Sequence, residues 1–212
     1  MFNESWPWKR ELAECAARLR NASEPDQWGH LDTDGPEDAE TEAIFEVERD
    51  VMVGAFALRR LLEMPYKVTQ QIRKYTVEVT TYPLRSDRST PDFIDALDAF
   101  EWYDLTKPEA SRITTTQMCN LFIHSHVLHF AWDLIGVDHE EANNLAEADP
   151  RLEGPVTLGG FYVATDIGSR SHLTRVDLEV VANSFDAMAQ DGRRLSVLET
   201  GCQGTSSPDD SL

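Results

Sequence analysis

The chain has 212 residues, 41% of them hydrophobic, with 38 acidic against 19 basic side chains and a formal net charge of −19. That length suits one well-buried domain. Its apolar runs fall short of the ~20 residues a bilayer span needs, and the charge disfavours bulk attraction to nucleic acid or to an anionic membrane. The first residues lack the basic start and apolar stretch of a secretory signal. Cys15, Cys119 and Cys202 stand too far apart for a disulfide framework or a metal motif. A cytoplasmic, reducing setting is expected.

In chain order, Trp6 to Leu19 reads as a first helix, with Pro7 in its first turn and Leu12, Cys15, Ala16 and Leu19 at helical spacing. Residues 22–36 read as a mobile acidic loop. Asp38 is placed to cap a long second helix reaching about Glu63, stopped by Pro65, with Gly54, Ala55 and Ala57 offering a smooth patch to another helix. Tyr75 to Tyr82 alternates as a strand, and Asp92 to Phe100 suits a short helix. Ile113 to His124 reads as a helix with a threonine at its start. From His126 the run fits either more helix or a buried strand.

Beyond a second acidic loop over 138–155, Gly159-Gly160 reads as a turn leading into the strand that ends at Asp166. A further turn falls at Gly168-Ser169-Arg170. Asp177 precedes a helix with Leu178, Val181, Phe185 and Met188 on one face, ended at Gly192. Leu195 to Leu198 offers a last strand. The order predicts a single α+β domain over 1–200, a helical core with a small antiparallel sheet that pairs 126–133 with 159–166, and a disordered tail over 201–212.

Half of the six histidines, His124, His126 and His129, lie within one apolar run. Histidine transfers protons, ligates metals and senses pH, and three readings stay open. The histidines are structural, hydrogen-bonded to neighbours such as Asp133. Or His126, His129 and Asp133 hold a metal, although no strong zinc spacing is present. Or they serve nucleic-acid chemistry. No Gly-rich phosphate loop precedes a helix, Ser125 lacks a nucleophile-elbow pattern, and no cofactor is expected.

The third reading rests on Asn120 followed four residues later by His124 on one helix. In this the chain resembles the HEPN (higher eukaryotes and prokaryotes nucleotide-binding) domains, whose motif is Arg, a polar residue, three variable residues and His. The resemblance spans residues 38–190, with the long helix at 38–63 and a late helix at 178–190 as partners. It implies RNA cleavage without metal, Arg steadying phosphate and His acting as acid–base catalyst. Cys119 stands at the Arg position, and a thiol does not replace a two-pronged guanidinium. Arg59 and Arg60 on the second helix are the candidate replacements, with Ser125 as a further binding residue. The departure implies a non-catalytic binding protein of a toxin–antitoxin or antiphage kind, pairing with a protein partner or with itself as a homodimer. A ribonuclease or metal-dependent hydrolase centred on His124 is the alternative.

Charge gives one more alternative. Residues 21–50 hold 11 acids against the single base Arg49, whereas 67–88 hold five bases and two acids. Carboxylates at Glu37, Asp38, Glu40, Glu42, Glu46 and Asp50 would line one helix as in a nucleic-acid mimic. Otherwise they keep the chain soluble.

Overall fold

The computed structural model describes residues 4–24, 28, 37–64, 66–89, 91, 100–137, 141, 145, 149–166 and 171–192. Helix α1 (Trp6–Ala22) carries Pro7 in its first turn and buries Leu12, Cys15, Ala16 and Leu19, the stripe that 3–4 spacing selects. Helix α2 (Glu37–Glu63) has 27 residues and is ~40 Å long. Its last carbonyls do not go unsatisfied: the Arg73 guanidinium donates to the carbonyl oxygens of Leu62 and Met64, a C-terminal arrangement that also suits the helix dipole. Arg73 closes the single-turn α3 (Gln70–Arg73), which is capped by the Thr69 hydroxyl.

Strands β1 (Thr76–Pro83), β2 (Glu109–Thr114), β3 (Ser125–Leu134), β4 (Val156–Thr165) and β5 (His172–Asp177) form one antiparallel sheet in the order β2-β1-β5-β4-β3. Helix α4 (Thr115–Ile123) joins β2 to β3, and α5 (Leu178–Gln190) follows β5. The molecule is therefore α+β, as expected, and the 126–133 and 159–166 segments do pair.

Helices α4 and α5 lie on the sheet, and α1 and α2 pack on them from outside. Alternation along the strands sends Val77, Val79, Leu158, Phe161, Val163 and Val176 into this helical core. The same alternation sends Tyr82, Val127, Ala131, Tyr162 and Leu173 to a second cluster around Tyr103. The smooth patch on α2 is used by α5. A Cβ at Gly54 would fall inside the Phe185 ring, so only glycine admits that ring beneath the helix.

Several expectations need correction. Ile113 belongs to β2, and α4 starts at Thr115 behind a capping box formed by Thr114 and Gln117. Gly159 and Gly160 are no turn. They sit inside β4, where a Cβ on Gly159 would strike the Asp133 carboxylate and one on Gly160 the Val176 carbonyl. In the stretch read as a loop over 22–36, Trp28 is packed into the core. It is 7% exposed, donates its indole N–H to the Ala22 carbonyl at 2.6 Å, and meets Trp132 edge-on at 5.0 Å. Within the second acidic loop, Pro150–Glu153 forms a short 3-10 turn. The Asp38 cap, the 92–99 part of the short helix, the turn at 168–170, the strand at 195–198 and the tail at 201–212 lie outside the described residues and side chains.

Candidate functional site

The three histidines are separated by local structure. His124 is the C-cap of α4, where its N–H reaches the Asn120 carbonyl, and its side chain is exposed. His126 is the extra residue of a β-bulge, because Ser125 pairs with Thr165 while Val127 pairs with Ala164. His129 stands on regular strand opposite Tyr162, with its ring 5.2 Å from that of Phe100. The His-x-His pair thus does not share a strand face. Asp133 accepts from Arg175 at 2.6 Å. Among the described residues no group of three His, Cys, Asp or Glu converges to hold a metal ion.

His124 lines a cleft of about 520 Å³ together with Asn120, Ser125, Thr165 and Asp166. The end of α4 and the hairpin partner of β3 meet there. Asp166 and Thr165 were not singled out from the sequence, yet the predicted pairing of 126–133 with 159–166 places them beside Ser125. Cys119 is turned away. It is fully buried, and burial pushes its thiol up to about 12, with the Arg59 charge opposing. An arginine at 119 would therefore be a buried cation instead of a phosphate ligand.

The guanidinium that position 119 lacks does come close from α2. Arg59 donates through Nη1 to the Asn120 side-chain oxygen and through Nε to Glu63 at 2.9 Å. Both bonds hold the group in place, and its side chain is one-third exposed. Arg60, next along α2, is half-buried and does not line the cleft. Of the residues named from the sequence, the structure thus brings Arg59, Asn120, His124 and Ser125 to one region, and leaves His126, His129, Asp133 and Arg60 elsewhere.

Arg175 is the most enclosed charge of the sheet, 5% exposed, donating to Asp133 and to Asp177 at 2.9 Å. Its role is structural: Asp177, at the N-cap position of α5, makes no side-chain cap because its carboxylate serves Arg175.

A different kind of site lies on the outer side of α2. Phe45 and Phe56 are 54% and 55% exposed, Val53 is also open, and Trp6 of α1 is 59% exposed with the Arg10 guanidinium over its ring. Trp8 meets Phe56 edge-on at 6.0 Å, so the two helices form one apolar strip. At 100° per residue, Phe45, Arg49, Met52 and Phe56 fall within about 60° of one another. The core stripe of Val47, Val51, Ala55, Leu58 and Leu62 is centred about 130° further round the helix, and Met52 at the near edge of the strip also touches the core. Helix α2 thus carries, besides its core stripe, a second and exposed group of apolar side chains around Arg49.

The acidic row is not continuous along this helix. Glu42 and Glu46 are exposed, but Asp50 is buried and gripped by Arg18 through two bonds of 2.7 and 2.9 Å. A nucleic-acid mimic needs its carboxylates outside. No helix among the described residues is long and apolar enough to cross a membrane. Compared with protein-family models, with curated proteins and with solved structures, the chain matches none.

Proposed function

We propose that this protein works by binding another polypeptide through the outer face of α1 and α2, and that it is not a catalyst. The observation that carries the reading is the second apolar stripe of α2, with Phe45 and Phe56 more than half exposed on a rigid helix. Aromatic anchors rimmed by charge are the residues that dominate protein interfaces. Here the rim is Glu42, Glu46 and Glu48, with Arg49 inside the strip. In the HEPN-like interpretation, α2, α4 and α5 are the retained helices. Arg59, Asn120 and His124 are then a residual motif whose guanidinium is held by Glu63.

The test is photo-crosslinking in the host cell with a photoreactive residue at position 45, against a control at Glu78 on the far side of the sheet. A discrete adduct at 45 and none at 78 is the expected result. Equal labelling at both positions contradicts the reading.

A second reading attaches to the cleft, because an exposed His124 one turn from an Arg59-bound Asn120 has an acid–base group beside a cation. Under it, single-stranded RNA is cut without added metal, and His124→Ala and Arg59→Ala each abolish cutting. Under the binding reading the wild-type protein leaves RNA intact. Asp166 in the cleft wall and Glu63 on Arg59 oppose phosphate there, which favours the binding reading.

A further inference from the structure

We infer that the occupant of the α2 strip is a second copy of this chain, the two α2 helices lying antiparallel about a two-fold axis level with Asp50 and Val51. The inference rests on the binding reading above and names its partner. Its basis is that the strip is its own complement when reversed. Phe45 and Phe56 stand at equal distances on either side of a point between residues 50 and 51, and Arg49 and Met52 do the same closer in. A two-fold partner therefore sets Phe45 of one copy on Phe56 of the other at both ends of the contact, as a closed isologous interface requires.

Charge follows the same symmetry. Glu42 is exposed near the start of the strip, and Arg60 lies near its end on the same flank by helical angle. A two-fold axis across the helices keeps each flank on its own side, so Glu42 of one copy meets Arg60 of the other within about one residue of rise. Parallel pairing exchanges the flanks and keeps Glu42 and Arg60 at opposite ends of the contact, so it forms no Glu42–Arg60 pair. Two other charges on or near the strip have partners within each copy. Arg49 lies 3.6 Å from Asp50, and Glu63 is bridged by Arg59. The stem of Arg49 is then left to pack along the strip.

Disulfide trapping tests this in full-length protein carrying Cys202→Ser, since Cys15 and Cys119 are buried. In the inferred register the two copies of position 49 lie ~5 Å apart along the axis, whereas the two copies of position 45 lie ~16 Å apart. Arg49→Cys is therefore expected to form a covalent dimer under mild oxidation. Phe45→Cys alone is expected to form no covalent dimer, and Phe45→Cys mixed with Phe56→Cys to cross-link. Glu42→Lys should weaken association about tenfold, and adding Arg60→Glu should restore it, since the swap re-creates two symmetric pairs.

Self-linking of Phe45→Cys would mean parallel pairing and overturns the inference. So does a single-chain mass at every concentration with no trapping at any position. The binding reading then stands or falls separately, on whether the photo-adduct at position 45 contains a different protein.

Discussion

The two faces of α2 carry the same kind of side chain and meet opposite surroundings. The inner face buries Val47, Val51, Ala55 and Leu58 against α1 and α4, and admits Phe185 of α5 at Gly54. The outer face exposes Phe45, Val53 and Phe56. A long helix needs only one apolar face to hold a single domain together. The difference teaches that the inner residues belong to folding, while the outer ones are spare to it and, on the reading proposed above, serve a partner.

Mutations should separate the two faces by size of effect. Phe185→Ala is expected to cost about 4 kcal/mol in denaturant unfolding, the usual range for emptying a buried ring site. It removes the ring that Gly54 is shaped around. A loss under about 1 kcal/mol would mean the inner contact is loose and the contrast between faces is false.

The sheet's second cluster should show itself in alkali. Burial pushes the Tyr103 phenol up to about 12 and raises Tyr82 as well. The folded state therefore holds protons that the unfolded chain releases near pH 10. Stability from this source is complete below pH 10 and is lost as pH rises towards 12, on the order of 3 kcal/mol for Tyr103. Ultraviolet titration of native protein should show these phenols ionising late. Ionisation of all tyrosines near pH 10 without unfolding would contradict their burial.

At the margin between faces, Asp50→Ala should cost about 2 kcal/mol, since it strips Arg18 of a two-bond carboxylate and leaves a gap beside α1. Smaller still, Phe56→Ser, which gives up the edge contact with Trp8, should cost about 1 kcal/mol in dilute protein. Smallest of all, Phe45→Ser should move the unfolding free energy by no more than about 0.5 kcal/mol. A larger loss at position 45 would show that this ring already packs within the single chain.

Much of this was legible in the sequence where the signal is local. The α1 stripe of Leu12, Cys15, Ala16 and Leu19 follows from its spacing, and the β3–β4 pairing from two apolar runs of matching length. Strand β2 was not legible, because its residues are mostly polar and it is fixed only by pairing with β1 some thirty positions earlier. Gly159 misled for a related reason: the groups that demand glycine there, Asp133 and Arg175, arrive from other strands. In the cleft, Asn120, His124 and Ser125 were found from their spacing, and Arg59 was flagged for its charge. That Arg59 and not Arg60 reaches Asn120 depends on how α2 crosses α4, which no local pattern encodes. Asp50 was read as exposed because its partner, Arg18, lies on another helix.

The most direct measurement is hydroxyl-radical footprinting of the purified wild-type protein across a range of concentrations. Phe45, Met52 and Phe56 should be oxidised readily when dilute and become protected together as concentration rises. Tyr66, which is fully exposed, should keep a constant rate. If Phe45 and Phe56 oxidise at one unchanging rate up to the highest concentration, no second copy covers this face and the account of α2 is wrong.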